Sequence, residues 1–274
     1  MSNTTWPRTV VGGVPVYQIP SFAAHPAIRH GFSARGGGVS APPFDSMNLS
    51  FTRGDDEAAV RQNFERFCHA VGVSAQHLVL SAQTHGTALH YATEADRGNG
   101  FDRPNILHDI DGLFTDRPDV VLCTQYADCV PLFFFDPVKK VIALSHAGWR
   151  GTAGDIAGKT VQKLCDAFGC NPSDIITGIG PSIGRCCFEV DAAVFDVFSA
   201  LGRLQGDWFV PKGEKYHLDL WDINRQLLEQ AGLDPRNISV SGHCTHCRPD
   251  EFWSHRTTGP VRGSLAAVLA LTKE

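Results

Sequence analysis

Three β-rich apolar runs stand in close succession near the middle of the chain, over 120–124, 130–135 and 141–145, and this succession is its strongest constraint on fold. A doubly wound parallel sheet needs a helix after each strand. Here helical patterns lie to either side of the strand-rich stretch. Val60, Phe64, Phe67 and Val71 recur at helical spacing and predict a helix over 55–71, with Asp55 and Asp56 suited to its cap. Further helices are predicted over 152–168 (stopped by Gly169), 191–201 and 218–231 (ended by Gly232). Short strands are predicted over 77–82, 175–180 and 238–241, while 264–271 fits either state. Strands and helices without strict alternation favour an α+β fold with mixed sheets layered against helices. No repeat, low-complexity tract or linker divides the 274 residues, so one domain spanning 1–274 is expected.

Composition narrows the function classes. A net charge of −5 without clustered Lys and Arg argues against a nucleic-acid surface, although a small anion needs only one or two arginines. The first twenty residues lack the basic start and long apolar stretch of a secretory signal. No apolar run approaches the ~20 residues that span a bilayer. A cytoplasmic protein with no membrane partner is expected, so the nine cysteines read as thiols, metal ligands or nucleophiles before disulfides. Without a coiled-coil or exposed apolar stripe, the default is a monomer.

Three segments share one design, in which an apolar strand delivers an imidazole or a thiol into a turn. They are Val79–Gly86 with His85, Tyr126–Leu132 with Cys129, and Ile142–Gly151 with His146. Two imidazoles and one thiolate make a zinc set with a fourth position left for water or substrate. The intervals between them match no short zinc motif, and a lone His at a strand end is more often a hydrogen-bonded residue than a ligand. Arg35-Gly36-Gly37-Gly38 is either an anion cradle or a simple loop. Arg150 is a second anion candidate or a surface ion-pair partner. Asp128 either orients a ligand imidazole or exchanges protons, or it caps its own turn. Asp109 and Asp111 carry the same ambiguity, and at most one face of a strand there would line the site. Residues 178–184 fail the dinucleotide spacing and read as a turn. Cys186 and Cys187 read as small apolar residues or pocket neighbours. His243-Cys244-Thr245-His246-Cys247 holds half a zinc motif, without a second ligand pair at the usual spacing.

Gln83–Gly86 (QTHG), Asp109–Thr115 (DIDGLFT), Ala127–Pro131 (ADCVP), His146–Gly151 (HAGWRG) and Gly180–Val190 (GPSIGRCCFEV) occur in that order. Together they resemble the signature blocks of the YfiH family, also called the laccase-domain or peptidoglycan-editing-factor family, from about Gly31 to Gly263. The resemblance implies two packed sheets with helices outside, in α/β/β/α layers, and a zinc held by His85, Cys129 and His146. It implies that Asn48, in Pro43–Leu49 (PFDSMNL), contacts substrate. It also implies that Cys244-Thr245 and Phe252–Arg256 (FWSHR) line the active site. Thr257–Pro260 departs from the family's charged, Gly-rich stretch, which leaves Arg256 and Arg262 without a transferred role.

Family members resemble purine nucleoside phosphorylases that also deaminate adenosine and cleave methylthioadenosine. Others are credited with hydrolysing a wrongly added amino acid from a peptidoglycan precursor. The expected partners are therefore a nucleoside and phosphate, or a muropeptide precursor. The laccase label implies copper oxidation of phenols, yet the sequence has no His-x-His pair. Copper remains an alternative occupant, because its affinity for such ligands runs above that of zinc. Three readings follow: a zinc-dependent phosphorylase and deaminase, an amidase using Cys129 as nucleophile with His85 or His146 as base, and a non-enzymatic metal-binding protein with a closed site.

Overall fold

The computed structural model describes residues 5–273, so the first four residues of the stretch read for a secretory leader lie outside it. Among the described residues, no helix is long and apolar enough to cross a membrane. Two six-stranded sheets form the centre. From edge to edge, the first sheet runs Arg8–Val11, Val14–Tyr17, Ile28–Ser33, Leu265–Leu271, Val121–Tyr126, Leu78–Val79. The second runs Ile238–Val240, Ile176–Ile179, Val130–Asp136, Val141–Ala147, Gly112–Thr115, Leu89–Tyr91. Both are mixed: most pairs are antiparallel, but Leu78 lies parallel beside Val121, Leu89 beside Gly112 and Thr177 beside Ile238. A small sheet of Glu189–Val190, Lys215–Leu218 and Phe209–Lys212 stands apart.

Strand alternation makes the layers. Along Leu265–Leu271, residues Leu265, Ala267 and Leu269 meet Phe133, Phe135, Ile142 and Leu144 of the second sheet. The intervening Ala266, Val268 and Ala270 face Phe64, Phe67 and Val71 of the helix Glu57–Val71. On the far side, Val130, Leu132, Phe134 and Ala143 pack under the helices Ile156–Phe168 and Leu220–Gln230. The order is helix, sheet, sheet, helices, as the resemblance implied. Each such Phe or Leu contributes about 1.5–3 kcal/mol by leaving water.

Most predicted elements are present, and the departures have local causes. The helix predicted over 152–168 is two helices, Trp149–Ala153 and Ile156–Phe168. Asp155 sits between them at φ 61°, and its carboxylate accepts from the Gly158 amide to start the second. The helix predicted over 218–231 begins at Leu220, because Asp219 caps it and Leu218 ends a strand. The strand predicted over 77–82 is regular only at Leu78–Val79, and beyond it Ala82 makes a single bridge to His108. The ambiguous 264–271 segment is the strand Leu265–Leu271.

Candidate metal centre

The centre lies where neighbouring strands from both sheets end. His146 is near the end of Val141–Ala147, paired opposite Pro131. Cys129 sits in the turn joining Val121–Tyr126 to Val130–Asp136. His85 follows the edge of the first sheet, where Gln83 acts as a surrogate strand. The Gln83 amide donates to the Gln125 carbonyl (3.0 Å), and its side-chain oxygen accepts from the Gln125 N–H (2.7 Å). One ligand atom from each of His85, Cys129 and His146 lies within 4.8 Å of the other two.

Asp111 organises the set. It is fully buried, and its Oδ1 lies 2.8 Å from His146 Nδ1. Its carboxylate accepts from the backbone amides of Thr84 (3.1 Å), His85 (3.0 Å) and Gly86 (2.7 Å). One side chain therefore fixes the His146 ring and holds the turn that carries His85, whose φ is 66°. With Nδ1 engaged, His146 offers Nε2 as its free ligand atom, the arrangement typical of metal-binding histidines. Of the two candidate acids, Asp111 takes this part, and Asp109 is exposed at φ 58°.

The electrostatics follow from the crowding. Burial opposes charge on Cys129, yet the charges and hydrogen bonds of His146 and His85 outweigh it and bring the thiol down to about 6. Burial likewise opposes charge on His146, but the Cys129 thiolate and the Asp111 bond raise it to about 9. Asp111 pays a desolvation penalty yet is held below the usual range, chiefly by His146. Cys68, in the core under the first sheet, shows the contrast: burial pushes it up to about 12. Close approach also dictates a glycine at 148. A Cβ there would lie 2.7 Å from the His85 ring and 3.2 Å from the Cys129 sulfur. The donor set fits zinc in charge and type, with His85 facing outward to leave an open side.

That open side is a cavity of about 730 Å³, lined on one side by Gln83, His85, Cys129 and His146. Phe188, His108, His255, Arg53, Arg256 and Arg262 line the rest. Arg262 is the notable wall. Its side chain is buried, Nη1 donates to the Gly263 carbonyl, and Nε has no partner. Burial and the facing Arg53 push its guanidinium down to about 10.

The proposed substrate contacts are placed differently. Arg35 does not line the cavity; it stacks over Trp253 at 4.1 Å and donates to the carbonyls of Asp45 and Pro249. The anion-cradle reading of 35–38 is therefore corrected to a structural loop. Asn48 is fully buried and bonds Ser264 N, Ser50 O and Asp55, so it braces the cavity floor without facing it. Arg150 is exposed and lies over its neighbour Trp149, outside the lining. Cys244 and Thr245 are buried behind the wall. Thr245 donates to Asp128 Oδ1 (2.6 Å), and the Arg256 amide donates to Asp128 Oδ2 (2.7 Å). Asp128 lines the cavity, but its carboxylate ties two loops together instead of orienting an imidazole, and Asp111 takes that second role. Arg53 escaped the sequence reading, and Arg262 was left there without a role, because nothing local in their loops marks them. Only the fold brings both into the cavity with the candidate ligands.

Residues 29–272 match the family described as "Multi-copper polyphenol oxidoreductase laccase". The purine nucleoside phosphorylase YlmD of Bacillus subtilis is 38% identical over 244 residues, covering 88% of this chain and 87% of its own. The adenosine deaminase RL5, from an unknown prokaryotic organism, is 34% identical over 219 residues, covering 79% and 83%. The crystal structure of YlmD from Geobacillus stearothermophilus superimposes with a TM-score of 0.90 at 34% identity, covering 98% of this chain and 99% of that one.

Proposed function

The chain belongs to the multi-copper polyphenol oxidoreductase laccase family, and from that premise we propose that its cavity is the active site of a zinc-dependent purine nucleoside phosphorylase that also deaminates adenosine. The reading is carried by one observation: two arginines that repel each other, Arg262 and Arg53, line the same cavity as a three-ligand centre. Two guanidiniums held together, without a carboxylate paired to either among the described residues, call for an anion, and inorganic phosphate meets them with charge-assisted hydrogen bonds. The names of the relatives, phosphorylases and a deaminase, point to a nucleoside beside it. Ile183 and Phe188 supply the apolar wall for a purine.

In phosphorolysis, Arg262 and Arg53 hold phosphate so that its oxygen attacks the ribose anomeric carbon. The carbon–nitrogen bond to the purine breaks, and the leaving base takes a proton. His108 and His255, both on the cavity wall, are the available donors. In deamination, water adds to the purine ring carbon and ammonia leaves. His85, Cys129 and His146 would hold zinc, which when bound supplies Lewis acidity towards water or a substrate atom. Asp111 keeps the His146 ring and the His85 turn in place throughout.

A second reading rests on the depressed Cys129 thiol beside His146 and Asp111, a Cys–His–Asp set suited to attack on an amide such as one in a muropeptide. One experiment separates the two. Zinc-loaded enzyme is given adenosine with and without phosphate, and products are resolved by chromatography. Adenine and ribose 1-phosphate appearing only with phosphate, inosine appearing without it, and loss of both on chelation support the phosphorylase. Chelated protein that cleaves muropeptide amides while neither preparation acts on adenosine supports the amidase.

A further inference from the structure

The fold gathers Cys186, Cys187, Cys244 and Cys247, whose sulfurs all lie within 4.8 Å of one another. The sequence separates them into a tandem pair and a Cys-x-x-Cys pair about sixty residues later. Cys247 Sγ is 3.5 Å from Cys186 Sγ and 3.3 Å from Cys187 Sγ. Each of the four is a free thiol. We propose that they form a second metal site, a zinc tetrathiolate that fastens residues 180–188 to residues 243–256.

Three physical points carry this. Zinc–sulfur bonds of about 2.3 Å in a tetrahedron put neighbouring sulfurs a little under ~4 Å apart; here two pairs stand at 3.5 and 3.3 Å and all four lie within 4.8 Å, so small side-chain shifts reach that geometry. All four are reduced, and reduced thiols are weak hydrogen-bonding partners that gain little from mutual contact. Second, the backbone is set for the cluster. The amides of Cys187 and Phe188 both donate to the Gly184 carbonyl, a tight turn that turns the tandem thiols towards Cys247. The Gly184 amide also donates to Cys244 Sγ (3.3 Å), which fixes that thiol against the same turn. Third, the two segments are registered beside each other. Ser182 N donates to His243 O, and Thr245 N donates to Ser182 O.

The histidines of the same stretch are occupied elsewhere. His243 bonds Trp6 O and Arg248, and His246 Nδ1 bonds Thr257. The donors are thus all sulfur, which selects a thiophilic ion. The site is linked to the first centre through Asp128. Thr245, next to Cys244, holds Asp128, and Asp128 precedes Cys129. The Arg256 guanidinium reaches the carbonyls of Cys187 and Glu189, so the same staple holds the cavity wall.

The test uses the full chain, purified anaerobically, and reads metal directly. Native mass spectrometry of zinc-loaded protein should show two zinc ions, one for each cluster. Cys129→Ala should retain one. Cobalt added to Cys129→Ala should give intense thiolate-to-metal charge transfer with tetrahedral ligand-field bands. Adding Cys186→Ser and Cys247→Ser to Cys129→Ala should abolish that spectrum, and the double variant Cys186→Ser, Cys247→Ser alone should lose one zinc equivalent while keeping zinc at the first centre. If that variant does not fold, the cobalt spectrum of Cys129→Ala decides alone. A single zinc in the native protein, or cobalt bands absent from Cys129→Ala, overturns the proposal. So does a metal-free disulfide within the cluster in anaerobic protein.

Discussion

The two clusters of soft ligands are built on opposite plans. His85, Cys129 and His146 come from strand ends of a rigid double sheet, share one buried carboxylate, and open onto a cavity of about 730 Å³. Cys186, Cys187, Cys244 and Cys247 come from two facing loops and offer sulfur alone. The first plan suits chemistry, because a fixed ligand set with a vacant side gains from rigid support. The second suits fastening, because four ligands close the coordination sphere and join two chain segments distant in sequence. Ligand count and the origin of the ligands distinguish the roles better than the identity of the metal.

The sharpest way to break this comparison is to remove Cys129. Cys129→Ala should abolish nucleoside turnover and metal at the first centre while the fold stays intact, checked by metal analysis and product assays. Retained turnover would place the chemistry elsewhere. Asp111→Asn should come next, with a roughly 10–100-fold loss in metal affinity or activity, because it loosens both the His146 ring and the His85 turn. Affinity measured by competition with a chelating dye checks it. Arg262→Met should weaken phosphate at the saturation level by about 10–100-fold, the worth of a charge-assisted hydrogen bond, with deamination far less affected. Equal loss of both activities would mean that Arg262 is not an anion contact.

A subtler expectation concerns pH in metal-free protein. The Cys129 thiol is held down to about 6, so it is largely thiolate above that pH and protonates below it. Alkylation of Cys129 should therefore rise with a midpoint near 6, and His146→Ala should move that midpoint upward. A midpoint at the ordinary thiol value in the unmodified protein would remove the Cys–His coupling from the account.

The sequence and the structure agree best where burial left a pattern to read. The runs over 130–135 and 141–145 are legible because strands covered on both faces are continuously apolar. The same property hid Leu265–Leu271, whose seven residues are all buried and so carry no periodicity to separate strand from helix. The hairpin Arg8–Val11 and Val14–Tyr17 was missed although Gly12-Gly13, both at positive φ, is a recognisable turn signal. At the site, the three candidate ligands, which the fold does bring within 4.8 Å of one another, were legible through strand-end placement and family motifs. Arg53 was not, and Arg262 was named without a role, since each becomes meaningful only when distant loops line the same cavity. Arg35 in its Gly-rich loop and Arg150 were weighed as anion contacts, and Asn48 was carried over from the family resemblance; the fold places the arginines over tryptophans and Asn48 against the Ser264 amide. The cysteine cluster was half legible: the Cys-x-x-Cys pair was seen, but Cys186 and Cys187 read as small apolar residues or pocket neighbours, because nothing in the sequence shows that the fold turns them towards Cys247.

The central claim is that the open His–Cys–His centre carries the nucleoside chemistry, and its most direct test is zinc titration of the metal-free enzyme. Phosphate-dependent release of adenine from adenosine is followed as zinc is added, in the unmodified protein and in the Cys186→Ser, Cys247→Ser variant. The account predicts that activity returns with zinc in both proteins and saturates with one fewer equivalent in the variant. Activity that is full before any zinc is added, or that fails to return when the first centre is occupied, would contradict it.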